Sequence, residues 1–92
     1  MSQITVVSFA RFREMFGGTH TITTTDDDTV LSALLMFADA VPQARAELFA
    51  GDALRSHVIL MYNRERIDAD EAADIPVQDG DEIVLYPPVS GG

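Results

Sequence analysis

The last six residues, PPVSGG, are the part of the chain whose residue types and spacing could carry chemistry. Pro87 and Pro88 hold φ at about −65° and lack a backbone N–H, so this segment is stiff, extended and unable to pair with a sheet. Gly91 and Gly92 have no Cβ and fit a narrow channel in which backbone approaches a ligand closely. The α-carboxylate of Gly92 is therefore unhindered, and such a carboxylate can attack the α-phosphate of ATP held by another enzyme, which gives an acyl-adenylate.

A terminal Gly-Gly is weak evidence alone, because glycines are common at the frayed ends of chains. Its context is more informative: the turn and apolar strand DGDEIVLY come first, and Val89 and Ser90 then act as spacers. We therefore divide the chain into a folded domain over residues 1–86 and a flexible tail over residues 87–92. The competing interpretation, from another functional class, is a non-catalytic interaction domain with an inert tail.

The composition excludes several other kinds of site. The chain has 92 residues, of which 47% are hydrophobic, and this suits one small packed domain. It has no cysteine and two histidines, His20 and His57, which lie far apart in the sequence. Disulfides, thiolate metal sites and a cysteine nucleophile are therefore excluded, and a histidine metal site is not expected. We expect no catalytic residue, no metal and no cofactor, and so a protein that is not an enzyme.

The charge is strongly acidic, with 15 acidic residues against six arginines and a net charge of −9. Such a surface repels nucleic-acid phosphate and anionic membranes. No apolar run is long enough to span a bilayer, and the N-terminus does not resemble a signal peptide. We expect a cytoplasmic monomer without nucleic-acid or membrane partners. The lack of lysine has two interpretations: a salt-adapted surface, or a modifier that cannot be extended through its own lysines.

The hydrophobic pattern predicts an α+β domain. Strands are expected at residues 3–9, 19–25, 58–62 and 82–86, with a short edge strand beginning at Ile67. The main helix follows the aspartate run 26–28, which we interpret as a solvated helix start rather than a cation site. Shorter helices are predicted at ARFREMF and, from Pro42, at PQARAELFA, and GDALRSH is predicted to be a loop. The apolar last strand should lie in the centre of a mixed four- to five-stranded sheet, parallel to the first.

In the predicted strands at residues 58–62 and 82–86, side chains alternate between the two faces of the sheet, so that one face packs on the helix and the other points outward. An exposed apolar patch commonly marks a partner site. The alternative is that the segment after the main helix covers part of this face. We predict a partner-binding surface that runs from the outer face onto the tail and comprises Ile59, Met61, Val84, Tyr86, Pro87, Pro88, Val89 and Ser90.

The C-terminal stretch DGDEIVLYPPVSGG resembles that of the β-grasp sulfur carriers, the molybdopterin synthase small subunit MoaD and the thiamine carrier ThiS. The chain is most similar to MoaD-like small archaeal modifier proteins. The stretches ITVVSFARFREMFGG, TVLSALLMFADAVP and VILMYNRERI resemble the first strand, the helix and the middle strand of that family. The segment PQARAELFAGDALRSH looks longer than in compact bacterial carriers, which favours the archaeal modifier branch.

The resemblance implies a ubiquitin-like β-grasp fold and a specific chemistry at the tail. An E1-like enzyme that binds ATP would adenylate Gly92, with Gly91 as its required neighbour. The activated glycine would then form a thiocarboxylate, for molybdopterin or tRNA thiolation, or an isopeptide bond to a lysine. The partners implied are therefore that enzyme, the molybdopterin synthase large subunit, and lysines of target proteins.

Overall fold

The computed structural model describes residues 2–25, 27–51, 53–55 and 57–87. The strands are β1 (Ser2–Ser8), β2 (Thr19–Thr24), β3 (Phe49–Ala50), β4 (Ala53–Leu54), β5 (Ile59–Tyr62), β6 (Glu65–Ile67) and β7 (Glu82–Tyr86). The helices are α1 (Arg11–Phe16), α2 (Val30–Ala40), α3 (Pro42–Leu48) and a 3-10 helix over Ala69–Asp74. In these ranges no helix has both the length and the apolar character needed to cross a membrane.

Five strands form one mixed sheet in the order β2-β1-β7-β5-β6, and β3 and β4 form a separate hairpin. β7 lies in the centre, parallel to β1 and antiparallel to β5. Its position follows from its composition, because a strand with a neighbour at each edge exposes less of its side chains to water than an edge strand does. Ile83 and Leu85 are fully buried toward the helices, while Val84, on the other face, is 8% exposed. The predicted α+β, ubiquitin-like β-grasp fold is confirmed, with α2 lying across a five-stranded sheet.

α2 begins with a reciprocal cap made by two hydroxyl residues. The Ser32 amide donates to Thr29 Oγ1 at 3.2 Å, and the Thr29 amide donates to Ser32 Oγ at 2.7 Å. This satisfies two backbone donors that a helix start leaves open. The helix then buries an apolar stripe at helical spacing in the core, namely Val30, Ala33, Leu34, Phe37 and Ala38.

The two shorter helices close the ends of the core. In α1, Phe12 and Phe16 stack at 5.0 Å between ring centroids, and Phe16 meets Phe37 edge-on at 5.9 Å. α3 begins at Pro42, as predicted, because proline suits the first position of a helix. α3 ends at Leu48, before the end of the predicted helix PQARAELFA, because Phe49 and Ala50 form β3 and pair with β4 in the segment predicted to be a loop. Phe49 is buried beneath the guanidinium of Arg45.

The position of β6 differs from the prediction, which placed the start of this strand at Ile67. Ile67 is instead its last residue, and Tyr62 already pairs with Glu65. The reason is a two-residue turn in which Asn63 and Arg64 have φ of 48° and 74°. Two successive left-handed residues reverse the chain tightly and match the twist of a hairpin, so pairing resumes at once.

Candidate functional site

The outer face of the sheet, turned away from α2, brings the predicted partner-binding residues of β5 and β7 together. Val84 lies between Val7 of β1 and Met61 of β5 in the sheet register. One step along, Tyr86 pairs with Ile59. The alternation that buries Leu60, Ile83 and Leu85 in the core directs their neighbours to this face.

Phe9 joins this face and was missed by the sequence analysis. It follows β1 directly, its amide donates to the Leu85 carbonyl at 3.1 Å, and its ring stacks on Tyr86 at 5.1 Å with 10° between planes. The two-residue period of β1 could have found it, because Phe9 has the same parity as Val7. We call the six residues of this face the outer patch: Val7, Phe9, Ile59, Met61, Val84 and Tyr86.

In the outer patch the two aromatic side chains are exposed to solvent, whereas Val84 at its centre is buried. Phe9 is 38% and Tyr86 37% exposed, whereas Val84 is only 8% exposed. Ile59 and Met61 are half-buried. Two large rings exposed side by side form a surface that gains free energy when a partner removes it from water.

The chain leaves the sheet at the outer patch. Tyr86 ends β7, and the next residue, Pro87, is half-buried and is the last one described. The remaining predicted site residues, Pro88, Val89, Ser90, Gly91 and Gly92, lie outside the described residues. The division into a domain over 1–86 and a tail over 87–92 therefore stays a prediction.

Two locally unfavourable features flank Phe9. Ala10 has φ 55° and ψ −133°, a conformation that residues with a Cβ rarely adopt. Ser8 is buried, and its hydroxyl has no hydrogen-bond partner in the part of the chain that the structure describes. Both features occur where β1 bends into α1 and leaves Phe9 against Tyr86. Such costs persist where surrounding structure imposes a geometry, and they often mark functional sites.

The opposite end of the sheet is held by the buried carboxylate of Asp81. Tyr62 Oη donates to Asp81 Oδ2, Asn63 Nδ2 donates to Oδ1 at 3.0 Å, and the Gln78 amide donates to Oδ2 at 2.7 Å. Burial alone raises the pKa of Asp81, but these hydrogen bonds outweigh it and hold that pKa below its ordinary value. Burial, and then the hydrogen bond and charge of Asp81, raise the pKa of Tyr62 to about 12. The network therefore fastens the β5–β6 turn to the start of β7.

The two histidines differ in their surroundings. His20 Nε2 donates to the Phe16 carbonyl, and its ring meets Phe37 edge-on, so this histidine is part of the packing. His57 is exposed. Within the described ranges, no cluster of three or more histidine, aspartate or glutamate side chains could hold a metal ion. The described residues present an exposed aromatic pair at the end of β7.

Comparison with known proteins agrees with this arrangement. The sequence model of the ThiS family matches residues 6–92. The molybdopterin synthase sulfur carrier subunit of Anopheles gambiae is 30% identical over 90 residues, which cover 98% of this chain and 92% of that protein. The crystal structure of SAMP1 from Haloferax volcanii matches with a TM-score of 0.87 and 30% identity, over 99% of this chain and 100% of that one. The small archaeal modifier protein 1 of Methanosarcina acetivorans matches with a TM-score of 0.83 and 29% identity, over 100% and 98% of the chains.

Proposed function

The chain belongs to the ThiS family, as its resemblance to sulfur carriers and archaeal modifiers led us to expect, and we propose that it is a ubiquitin-like sulfur carrier and protein modifier. In this proposal the protein is not an enzyme. It supplies a C-terminal carboxylate and a docking face, and its partners supply the catalytic groups. We retain the predicted cytoplasmic location and monomeric state as parts of the proposal.

The proposed reaction has two steps at Gly92. A carboxylate oxygen attacks the α-phosphate of ATP in an E1-like enzyme, which forms the acyl-adenylate and releases pyrophosphate. A nucleophile then attacks the acyl carbon, and AMP leaves. In one branch the terminal sulfur of a partner's persulfide attacks and forms an acyl disulfide, whose S–S bond is then reduced by two thiols; this releases the thiocarboxylate and the partner's thiol and leaves a disulfide. In the other branch the amine of a target lysine attacks, which gives an isopeptide bond and releases a proton.

The names of the relatives support both branches. The Anopheles gambiae relative is a sulfur carrier subunit of molybdopterin synthase, and the Methanosarcina acetivorans relative is a modifier protein. We propose that the thiocarboxylate serves molybdopterin synthesis, through the large subunit of the synthase, or tRNA thiolation. The isopeptide branch would use lysines on target proteins.

The observation that carries the proposal is the position of the outer patch. The central strand β7 ends at Tyr86, inside an exposed aromatic pair, and Pro87 continues from there. A partner that binds the outer patch is thereby placed beside the start of the tail. Because proline stiffens the segment that follows, docking would direct Gly91 and Gly92 away from the sheet and toward the partner's nucleotide.

Removal of Gly91 and Gly92 tests the proposal. We expect the shortened protein to fold and to bind the E1-like enzyme noncovalently, but to support no ATP–pyrophosphate exchange, because the carboxylate no longer reaches the nucleotide. Circular dichroism and a binding titration check the first two results. Asp70→Ala, an exposed substitution on the 3-10 helix, is the matched control and should leave exchange unchanged.

Exchange that survives the deletion would overturn the carrier proposal and favour an interaction domain with an inert tail. Mass spectrometry of protein from its native cell distinguishes the thiocarboxylate branch from the isopeptide branch. A mass increase of about 16 Da, for one sulfur in place of one oxygen, identifies the thiocarboxylate. Gly-Gly remnants on lysines of other proteins identify the modifier.

A further inference from the structure

The two edges of the five-stranded sheet differ in how well they are protected against pairing. β6, at one edge, has three residues and carries Glu65 and Arg66. β2, at the other edge, has six residues, THTITT, without aspartate, glutamate, lysine, arginine or proline. Short, charged edge strands resist the addition of another strand, whereas longer uncharged ones permit it. β2 is therefore the edge open to an added strand.

On one side of β2, backbone N–H and C=O groups have no strand partner among the described residues. β2 pairs with β1 along its whole length, from Thr19 to Thr24. On its other side, no backbone hydrogen bond reaches these six residues from any part of the chain that the structure describes. Every second residue of an edge strand directs its N–H and C=O away from its partner, so about three such pairs of groups face outward.

The inner side of β2 is also incompletely covered. Ile22 and His20 pair with Ile4 and Val6 of β1. Ile4 and Val6 are fully buried, whereas Ile22 and His20 are only half-buried even though β2 contacts α2. A strand added to β2 would set its inward side chains beside Ile22 and complete its burial.

The negative charge next to β2 favours one kind of added strand over others. The aspartate run 26–28 follows the strand, and within it Asp27 is exposed while Asp28 accepts the Thr25 amide hydrogen bond at 2.8 Å. A lysine or arginine just beyond the paired stretch would meet these carboxylates. A second copy of this chain, with a net charge of −9, would be repelled.

We propose that β2 accepts an extended segment of another protein as a sixth strand, with a β-branched or other apolar residue beside Ile22 and a lysine or arginine beside Asp27. Main-chain hydrogen bonds supply the affinity, and the inner side chain and the charge supply the selectivity. The outer patch stays free, because it lies on the face of the sheet while β2 pairs at its edge. The inference is independent of the chemistry of Gly92.

The test uses the full chain and an acetylated, amidated peptide in which two lysines precede five residues of alternating valine and threonine. On titration, we expect the backbone amide signals of β2 to shift in NMR spectra and their hydrogen exchange to slow, while those of the outer patch stay in place. Thr21→Lys, an exposed substitution in the middle of the edge, should abolish binding. Asp27→Lys should weaken binding by about fivefold, the size of one lost surface ion pair.

The matched control is Glu65→Lys, which makes the same charge change as Asp27→Lys at the other edge of the sheet and should leave the affinity unchanged. Unshifted β2 amides, or shifts confined to the outer patch, would overturn the proposal. Equal binding of a peptide with glutamates in place of the lysines would overturn its charge argument. A dimer through β2 that forms without peptide, seen by light scattering, would make a second copy the occupant.

Discussion

Ala10 carries a backbone conformation that its own side chain opposes. With φ 55° and ψ −133°, its Cβ crowds neighbouring backbone atoms, and glycine would adopt the same geometry freely. The conformation persists because Phe12 anchors α1 on one side and Phe9 stacks on Tyr86 on the other. The strained backbone of Ala10 therefore lowers the stability of the fold while Phe9, next to it, remains in the outer patch.

We predict that Ala10→Gly stabilises the protein by about 1 kcal/mol, because released strain exceeds the extra backbone entropy of glycine in the unfolded chain. Denaturant unfolding measures the change. Ala46→Gly is the matched control: Ala46 is also exposed, but it lies within α3, so glycine should destabilise by about 1 kcal/mol. The explanation by strain fails if both substitutions destabilise equally.

At the scale of elements, the turns at the far end of the sheet depend on a single buried carboxylate. Asp81 accepts hydrogen bonds from Tyr62, Asn63 and the Gln78 amide, and its own carbonyl accepts from the Thr5 amide at 2.9 Å. β1, β5 and β7 are therefore tied together through one residue. Because β7 is central and ends at the outer patch, this network fixes the strand that carries Val84 and Tyr86.

The network makes the stability of the protein depend on pH. The pKa of Asp81 in the folded state lies below its ordinary value of 3.8, so the ionised carboxylate stabilises the fold above that value. This contribution is lost as the pH falls through the lowered folded-state pKa. We expect Asp81→Asn to cost about 2 kcal/mol at neutral pH and to flatten the acid loss of stability.

Unfolding in urea between neutral pH and strong acid measures both effects. Asp28→Asn is the control, because the Thr25 amide is the main cause that lowers the pKa of Asp28, but this residue lies at the start of α2. Asp28→Asn should remove a separate part of the decrease in the free energy of unfolding at low pH. If Asp81→Asn keeps the full pH dependence of the unsubstituted protein, the carboxylate does not stabilise the turns as argued.

At the scale of the whole molecule, the outer patch is an apolar area on a protein with a net charge of −9. Repulsion between like-charged copies opposes self-association, so such an area can stay exposed until a partner covers it. The aromatic pair Phe9 and Tyr86 concentrates this area at the end of β7. The outer patch and the open edge at β2 would let one protein contact two partners at once.

We predict that Phe9→Ala raises the KM of the E1-like enzyme for the carrier about tenfold, with little change in kcat, because the lost contact contributes to docking and not to chemistry. Steady-state pyrophosphate exchange measures both constants. Met36→Ala is the matched control, because Met36 is as exposed as Phe9 but lies on α2, across the molecule. An equal effect of the two substitutions would contradict a docking role for the outer patch.

The order of the main elements, the central position of β7 and the two faces of the sheet followed from local pattern, whereas the β3–β4 hairpin did not. Helical spacing after residue 29, alternation in β5 and the continuous apolar run in β7 report burial directly, because a side chain's neighbours along the strand or helix determine which face it occupies. The tail motif, together with the resemblance, identified the family. Phe9 could also have been found by parity with Val7.

Only the tertiary structure decided the contacts that join distant segments. Three features depend on the register between strands that are far apart in the chain. They are the stacking of Phe9 on Tyr86, the hydrogen bonds to Asp81 and the half-buried inner side of β2. The left-handed pair Asn63-Arg64, which starts β6 early, likewise depends on pairing, because neither residue requires positive φ by itself. Local periodicity encodes which residues are buried, whereas the partner each residue meets is set by how the strands align.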